Sequence, residues 1–255
     1  MNPLSDSAAA WSAGVILQAR MGSTRLPGKV LRLAAGRPVL EWCLLRLAES
    51  QQCRRVIVAT STLPQDDAIA AFCDQRQVPC FRGSENDVLQ RYYEAMRRFH
   101  VDPVIRVTAD CPLIDAHVLD AMLPAYFARQ ADYLSNTLTR TFPRGYDLEI
   151  FSFAALQTAQ QQAQQAYERE HVTPFIYQHP QLFKLAGYEN DFDASALRVT
   201  VDTPEDLLVV DRIYQHFVQT GRGHHFTLPE LVKLWSSQPD LAARNQHIRQ
   251  KQLGE

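Results

Sequence analysis

The residues best suited to chemistry form a basic loop at positions 18–31, with the sequence QARMGSTRLPGKVL. Arg20, Arg25 and Lys29 fall within ten residues of one another, and two glycines punctuate the loop. Glycine lets backbone N–H groups turn toward an anion, and three clustered cations neutralise several phosphate charges. The loop therefore suits a triphosphate, the alternative being a basic surface loop without a ligand.

This loop matches neither of the common phosphate-binding fingerprints. A Walker A loop has four residues between its glycines and a Ser or Thr after its lysine. Here five residues separate Gly22 from Gly28, and Val30 follows Lys29. The G-x-G-x-x-G pattern of dinucleotide-binding folds is also missing from the loop, so a dinucleotide site is not indicated.

Two aspartates follow apolar runs that we predict to be strands. Asp110 comes after residues 104–108, and Asp202 comes after residues 197–201. Ligands bind at the carboxyl ends of strands in α/β sheets, and carboxylates are Mg²⁺ ligands, so both could converge on one metal ion. Alternatively, Asp110 caps a turn and Asp202 opens a helix. Cys111, with no base nearby in sequence, is interpreted as a packing residue.

Two further polar motifs are expected to carry no chemistry. Asp191 and Asp193 form a D-x-D sequence, the metal signature of glycosyltransferases, but they lie in an Asn/Asp-rich stretch typical of a turn. The pair His224 and His225 lies in a glycine-bounded turn. The eight histidines show no H-E-x-x-H and no paired spacing with cysteine, which disfavours zinc.

Composition excludes several classes of protein. The chain has 255 residues, enough for one large α/β domain with a substantial core. Its formal charge of −2 argues against a nucleic-acid partner. No apolar run approaches the roughly 20 residues of a membrane span, and the start lacks the pattern of a secretory signal. The five cysteines contain no C-x-x-C and fit reduced core thiols in a cytoplasmic protein.

The elements that must position these residues alternate along the chain. The predicted strands are residues 15–19, 56–60, 78–81, 104–108 and 197–201, and residues 144–153 are predicted to be a strand opening a helix. The predicted helices are residues 39–48, 66–75, 87–99, 115–129, 157–165, 204–217 and 227–249. This alternation indicates βαβ units and a mostly parallel sheet. We divide the chain into a flexible leader (1–12), a main domain (13–220) and a C-terminal helical appendage (221–255).

Several motifs in order resemble the sugar-activating cytidylyltransferases. Besides the loop at 18–31, they are RGSENDVLQRYYEA (82–95), RVTADCPLID (106–115), RGYDLEIFS (144–152), REHVTPFIY (169–177) and VDTPEDL (201–207). The chain is similar to CMP-KDO synthetase and acylneuraminate cytidylyltransferase, and most closely to the branch of spore coat polysaccharide biosynthesis protein F-like proteins. The resemblance implies a Rossmann-like three-layer α/β/α nucleotide-diphospho-sugar transferase fold.

The resemblance also implies an activity. CTP and a sugar, a nonulosonic or related keto-sugar acid, would give CMP-sugar and pyrophosphate for surface polysaccharide biosynthesis, with Mg²⁺ on Asp110 and Asp202 and a homodimer as the assembly. CMP-KDO synthetases typically read D-E-P-L where this chain reads DCPL (110–113), so CMP-KDO is less expected as product. The alternatives are another nucleotide or a sugar 1-phosphate as substrate, a glycosyltransferase, and a non-catalytic nucleotide-binding protein.

The family pattern assigns roles residue by residue. The predicted catalytic residues are Arg20, Arg25, Lys29, Asp110 and Asp202. The other predicted nucleotide contacts are Gln18, Ala19, Gly22, Ser23, Arg82, Asn86, Asp87, Gln90, Thr108 and Ala109. The predicted sugar contacts are Arg106, Arg144, Tyr146, Asp147, Glu149, Glu170 and His171, with sugar-binding and dimerisation elements within about 131–200. Asn86 or Asp87 as helix caps, and Arg106 or His171 as structural residues, remain alternatives.

Overall fold

A computed structural model describes residues 11–53 and 55–250 of the chain. Most of the predicted leader therefore lies outside the described residues, as do the last five positions of the predicted appendage. Ser12, which we assigned to the leader, begins the first strand.

Nine strands and ten helices are found among these residues. The strands are β1 (Ser12–Gln18), β2 (Leu33–Ala34), β3 (Arg37–Pro38), β4 (Val56–Ser61), β5 (Cys80–Gly83), β6 (Val101–Thr108), β7 (Tyr133–Ser135), β8 (Glu149–Phe151) and β9 (Leu185–Gly187). The helices are α1 (Val39–Leu47), α2 (Asp67–Gln75), α3 (Val88–Phe99), α4 (Ala116–Arg129), α5 (Phe153–Gln162), α6 (Ala166–His171), α7 (Pro174–Tyr177), α8 (Pro204–Gln219), α9 (Leu228–Ser237) and α10 (Pro239–Asn245). Short 3₁₀ turns cover Lys29–Leu31 and Pro64–Asp66.

Seven of the strands form one sheet in the order β5-β4-β1-β6-β8-β7-β9. The pairs β5–β4, β4–β1, β1–β6 and β7–β9 are parallel, whereas β8 is antiparallel to both of its neighbours. The remaining two strands, β2 and β3, make a small antiparallel hairpin. The predicted mostly parallel α/β sheet is thus confirmed.

Helices cover both faces of the sheet, because successive side chains of a strand point to opposite faces. On β1, Val15 and Leu17 join the cluster that contains α1, α2 and α4. Ile16, between them, joins the cluster of α3, α5 and α7 on the other face. All three residues are fully buried, so the central strand reads as a continuous apolar run, as parallel sheets require.

A third apolar cluster joins the C-terminal helices to the main domain. The Trp42 ring of α1 stacks on Tyr214 of α8 at 3.9 Å between centroids, and Phe217 stacks on Phe226 at 3.9 Å. Leu241 of α10 is fully buried in the same cluster. The predicted appendage therefore packs against α1 and α8 and does not stand apart from them. None of the described helices is long and apolar enough to cross a membrane.

The strand predicted at residues 197–201 is wrong. Within the described residues this segment belongs to no strand of the sheet, and its one β-bridge pairs Arg198 with Arg144. Its apolar residues Val199 and Val201 are buried against the helices of the third cluster. The β-branched residues that suggested a strand are buried by packing against helices and not by pairing in a sheet.

Three predicted element boundaries differ from those of the structure, and local backbone geometry explains the differences. The helix predicted over 227–249 is two helices, broken at Gln238 (φ −130°, ψ 78°), because a residue that precedes proline avoids helical geometry. The helix predicted to end at 165 ends at Gln162, where Ala163 turns to extended backbone. The strand predicted at 78–81 is shifted to Cys80–Gly83, since the Pro79 carbonyl opens the pairing with Val58.

Gly145 holds the extended segment in place and gives a test of this packing. Its φ is +107°, and a Cβ atom there would lie 2.6 Å from the Thr200 nitrogen and 2.7 Å from the Val199 carbonyl carbon. Gly145→Ala should lower the free energy of unfolding by about 2 kcal/mol or more, because both the backbone and the neighbouring chain must shift. Chemical denaturation measures this.

Gly187→Ala is the matched control, since a Cβ atom there meets nothing within 4 Å. Equal stability losses for the two variants would contradict the tight contact between residues 145 and 199–200.

Candidate functional site

A cavity of about 430 Å³ lies at the carboxyl ends of β1 and β6. Its lining comes from five parts of the chain: the basic loop at the end of β1, the end of β6, the end of α6, the segment before α8, and the segment after α10. The lining residues are Gln18, Arg20, Gly22, Ser23, Thr24, Arg25, Lys29, Val30, Arg106, Thr108, Ala109, Asp110, Glu170, His171, Asp202 and Gln250. Thirteen of these sixteen were predicted from sequence, and Thr24, Val30 and Gln250 were not.

The basic loop is closed by its own backbone and tied down by a buried acid. The carbonyl of Met21 accepts hydrogen bonds from the Ser23 N–H (2.9 Å) and the Gly28 N–H (3.0 Å). Gly28 has a φ of +67°, which permits this tight return. Asp66, fully buried, accepts from the Met21 N–H (2.8 Å) and from the Ser61 hydroxyl (2.5 Å). The loop is consequently pre-shaped.

An ion cluster occupies the floor of the cavity. The Lys29 ammonium lies 2.7 Å from Asp110 Oδ2 and 2.8 Å from Asp202 Oδ1. Arg25 approaches the other oxygen of Asp202 at 3.1 Å. Lys29 and both acids have mostly buried side chains. Two carboxylates distant in sequence therefore converge on one cationic centre.

Mutual attraction keeps these groups charged despite burial. Burial alone would raise the pKa of Asp110, but the Lys29 charge and hydrogen bond override it and lower that pKa to about 2. Burial would likewise lower the pKa of Lys29, yet the two carboxylates raise it above its usual value. Asp110 and Lys29 are therefore both ionised at neutral pH.

The backbone joins the two acids directly. The Asp110 carbonyl accepts from the Val201 N–H at 2.7 Å and from the Thr200 hydroxyl at 3.1 Å. The cap of α8 is Thr203, which forms a capping box with Asp206. Asp202 lies directly before this cap, and its side chain contacts Lys29.

Arg198 supports Asp202 and was missed from the sequence. Its guanidinium lies 3.2 Å from Asp202 and 2.8 Å from Asp206, which is fully buried and also accepts from Asn245 at 2.9 Å. The Asn245 amide also donates to the Arg198 carbonyl at 3.0 Å, so α10 stabilises the same cluster. The feature of the sequence that could have indicated Arg198 is its position as a charged residue within the apolar run at 197–201.

Arg106 forms one wall of the cavity, and its guanidinium is held by a residue outside the cavity lining. It pairs with Glu149 and reaches the Gln18 amide oxygen at 3.4 Å. Glu149 also accepts from the Tyr133 and Thr173 hydroxyls, each at 2.6 Å. Burial opposes the charge on Arg106, but Glu149 outweighs it and raises the arginine pKa. Glu149 thus orients Arg106, and its predicted role as a sugar contact remains a prediction.

The opposite rim carries an arginine with two weak ionic partners. Arg20, partly exposed, lies 3.8 Å from Glu85 and 3.7 Å from Glu170. His171 lines the cavity beside Glu170. Burial, assisted by the charges of Arg106 and Arg20, lowers the His171 pKa, so this imidazole is neutral at pH 7.

The predicted contacts in the loop before α3 do not line the cavity. Asp87 caps α3 through the Gln90 N–H at 2.9 Å and pairs with Arg169 at 2.6 Å. Arg82 donates to the Ser61 and Leu63 carbonyls. Asn86, in the same loop, and Ala19, which is buried, are also absent from the lining. Their predicted role in nucleotide binding remains a prediction.

Three predicted sugar contacts also lie away from the cavity. Tyr146 is fully buried in the third apolar cluster, so its ring cannot reach a ligand in this conformation. Asp147 pairs with Arg140 at 2.7 Å, and Arg144 hydrogen-bonds through its backbone to residues 197 and 199. The resemblance placed these residues in a sugar site, but the local packing commits Tyr146 to the core.

Cys111 contacts the ion cluster only through its thiol, which donates to Asp110 Oδ1 at 3.6 Å, and the D-x-D sequence lies elsewhere. Cys111 is buried, and burial together with Asp110 and Asp147 raises its thiol pKa well above the ordinary value, which fits a packing role. Asp191 lines a different cavity together with Asp115 and Phe142. Asp193 accepts from the Ser195 N–H at 2.8 Å, as in a turn.

Comparisons with known proteins agree with one another. A family model for cytidylyltransferases matches residues 14–245. The spore coat polysaccharide biosynthesis protein SpsF of Bacillus subtilis is 34% identical over 238 residues, 91% of this chain and 97% of SpsF. The structure of a cytidylyltransferase from Leptospira borgpetersenii superposes with a TM-score of 0.87 at 34% identity, covering 94% of this chain and 100% of the other.

A more distant structure shares the fold. The CMP:2-keto-3-deoxy-manno-octonic acid synthetase complexed with CTP superposes with a TM-score of 0.61 at 18% identity, covering 81% of this chain and 99% of that one. At this identity the likeness concerns architecture alone. The two chains therefore have the same α/β architecture.

The buried acid below the basic loop can be tested by substitution. Asp66→Ala removes a carboxylate that accepts from Met21 and Ser61, leaving their donors unpaired. The free energy of unfolding should fall by about 2–4 kcal/mol, since hydrogen bonds to buried charges contribute more than neutral ones. Urea denaturation measures the change.

The neighbouring Asp67 provides the control. It is exposed and pairs with Arg82 at 2.7 Å, so Asp67→Ala should cost no more than about 1 kcal/mol. A small loss for Asp66→Ala, equal to that of Asp67→Ala, would mean that the loop is not anchored by the buried acid.

Proposed function

The chain belongs to the cytidylyltransferase family, and on that premise we propose that it transfers a cytidylyl group from CTP to a hydroxyl of a sugar acid. The sugar hydroxyl releases its proton to solvent as its oxygen attacks the α-phosphorus, the bond between that phosphorus and the oxygen bridging to the β-phosphate breaks, and pyrophosphate leaves. The observation that carries the proposal is the Lys29 ammonium held between Asp110 and Asp202 in a cation-lined cavity.

The charged side chains of the cavity can neutralise a bound triphosphate only if a further cation is bound with it. Its lining contains four cationic side chains (Arg20, Arg25, Lys29, Arg106) and three carboxylates (Asp110, Glu170, Asp202). This balance leaves little net positive charge for the roughly four negative charges of a nucleoside triphosphate. A divalent metal ion on the carboxylates would supply the missing charge.

The two aspartates fit Mg²⁺. Both present an oxygen to the same point, where the Lys29 ammonium now lies, and all-oxygen ligands are those that Mg²⁺ prefers. Asp110 and Asp202 would hold the ion. When bound, Mg²⁺ would supply neutralisation of phosphate charge as a Lewis acid.

The side chains of the loop would then act on the phosphates. Lys29, no longer needed by the two carboxylates, can turn its ammonium to the triphosphate. Arg25 and Arg20 can stabilise the charge that develops on pyrophosphate as it leaves, and the pre-shaped backbone near Gly22 can donate N–H groups. Fixed donors aimed at developing charge need no reorganisation during the reaction.

Three lining residues provide a site for an acid sugar. Arg106 is held charged by Glu149 and can pair with a carboxylate, while Glu170 and the neutral His171 can accept and donate hydrogen bonds to hydroxyls. The similarity to SpsF supports a place in polysaccharide biosynthesis. We further propose Mg²⁺ as the metal ion, a cytoplasmic site of action, where nucleoside triphosphates are made, and a homodimer, as the family resemblance implies.

The product assay tests this function. Incubation with CTP, Mg²⁺ and a panel of keto-sugar acids should release pyrophosphate, and mass spectrometry should detect the matching CMP-sugar. Thermal shift with CTP, GTP, UTP and ATP separates the alternative nucleotides, because selective binding stabilises the fold. Release of pyrophosphate with another nucleotide but not with CTP would overturn the choice of CTP.

Replacement of either metal-binding acid should abolish most turnover. Asp110→Asn and Asp202→Asn are expected to lower kcat by about 10²–10⁴-fold, because the metal site loses a ligand. Asp191→Asn is the control and should keep normal activity, since Asp191 lines another cavity. Full activity in either of the first two variants would exclude the metal assignment.

Lys29→Met separates metal binding from phosphate binding. Without nucleotide, Mg²⁺ affinity measured by calorimetry should rise, since no ammonium competes for Asp110 and Asp202. With nucleotide, kcat/KM for CTP should fall about 100-fold or more, because a phosphate-binding cation is lost. Lys29→Arg is the charge-conserving control. Weaker Mg²⁺ binding in the methionine variant would contradict the proposal that Mg²⁺ replaces the Lys29 ammonium between Asp110 and Asp202.

A further inference from the structure

A second cluster of metal-type ligands lies away from the cavity, at the end of α1. Glu49, His224 and His225 each offer one ligand atom, and these three atoms lie within 4.8 Å of one another. Among residues 11–53 and 55–250, they form the one group of three or more His, Cys, Asp or Glu side chains that meets this distance. We propose that they bind a divalent transition-metal ion of the zinc type.

His224 and Glu49 are spaced as two ligands of one ion, whereas His225 is in direct contact with Glu49 and would have to move away from it. His224 Nε2 lies 3.7 Å from Glu49 Oε1, and His225 Nδ1 contacts the same carboxylate oxygen. Metal–ligand bonds of 2.0–2.2 Å in a tetrahedral site place donor atoms about 3.4 Å apart. Small side-chain rotations would therefore admit the ion, with the fourth position open to water.

The backbone that carries the histidines is fixed from both sides. Arg46, fully buried, donates to the His224 carbonyl at 2.7 Å and to the Phe226 carbonyl. Arg222 donates to the His225 carbonyl at 2.9 Å. Because these contacts use backbone carbonyls, they hold the turn without occupying either imidazole.

Glu49 is fixed at the other side of the cluster. Its N–H donates to the Arg46 carbonyl at 3.2 Å, and the next residue, Ser50, is buried and hydrogen-bonded to Asp120. Arg46 therefore holds both parts of the cluster. Its carbonyl accepts from the Glu49 N–H, and its guanidinium donates to the His224 carbonyl. The three ligands are placed before any ion binds, which lowers the ordering cost of binding.

The chemistry of this cluster differs from that of the Asp110–Asp202 pair. Two imidazoles and one carboxylate suit zinc, nickel or copper, whereas two carboxylates suit magnesium. The His225 side chain is 66% exposed, so an ion can enter from solvent.

Two nearby positive charges set the expected affinity. Arg46 and Arg222 oppose a dication, although Glu230 offsets Arg222 at 2.8 Å. We therefore expect a dissociation constant in the micromolar range. Zinc there would join the end of α1 to the turn between α8 and α9, and would stabilise the packing of the C-terminal helices.

The sequence did not indicate this site, and the pair His224 and His225 was expected to carry no chemistry. Standard zinc motifs place ligands a few residues apart on one element. Here the carboxylate comes from the turn after α1, and the folding of the third apolar cluster brings it to the histidines.

Calorimetric titration of the full chain with Zn²⁺, in excess Mg²⁺ to occupy the aspartate pair, tests the proposal. The expected result is one Zn²⁺ per chain and a zinc-dependent rise in Tm. Glu49→Gln and His225→Ala should each weaken binding at least about tenfold and remove the rise in Tm. His216→Gln, which alters an imidazole on the neighbouring α8, is the control and should bind like the parent.

Two results would overturn the proposal. One is the lack of micromolar Zn²⁺ binding by the parent chain. The other is unchanged binding in both Glu49→Gln and His225→Ala, which would place the zinc elsewhere. In either case the cluster is an ion pair between Glu49 and His225 only. Tm values of the variants without zinc verify that each is folded.

Discussion

The ion cluster of Lys29, Asp110 and Asp202 links three distant parts of the chain. Lys29 belongs to the loop after β1, Asp110 follows β6, and Asp202 precedes α8. Each charge would be costly in a mostly buried position if it stood alone, because burial disfavours ionised groups. The three are tolerable only together, so the floor of the cavity requires all three segments to be correctly placed.

Buried arginines provide much of that placement. Arg198 fixes Asp202 and Asp206, Arg106 is held by Glu149 along the cavity wall, and Arg46 binds the carbonyls of the turn after α8. A guanidinium offers several donors in a fixed plane, so one side chain can tie two or three segments of irregular backbone. The loops around the sheet thus have defined shapes although they lack regular pairing.

Much of the architecture followed from local patterns. Apolar runs with period 3.6 or near-continuous β-branched runs were enough to predict β1, β4, β6 and the large helices, and their alternation indicated a parallel sheet. The very short strands β2, β3, β7 and β9 were not predicted, since two or three residues carry no periodic signal. Residues 197–201 gave the opposite error: the sequence predicted a strand, but the apolar side chains of this segment pack against helices.

The sequence by itself determined the kind of site: a basic loop after the first strand, acids after later apolar runs, and ordered motifs that resemble one family. Only the tertiary structure decided which residues meet. It brings Asp110 and Asp202 to Lys29, buries Tyr146, and adds Arg198 and Gln250 to the site. Spacing along a chain reports local geometry, whereas contacts between segments far apart in sequence depend on how the sheet and its helices pack.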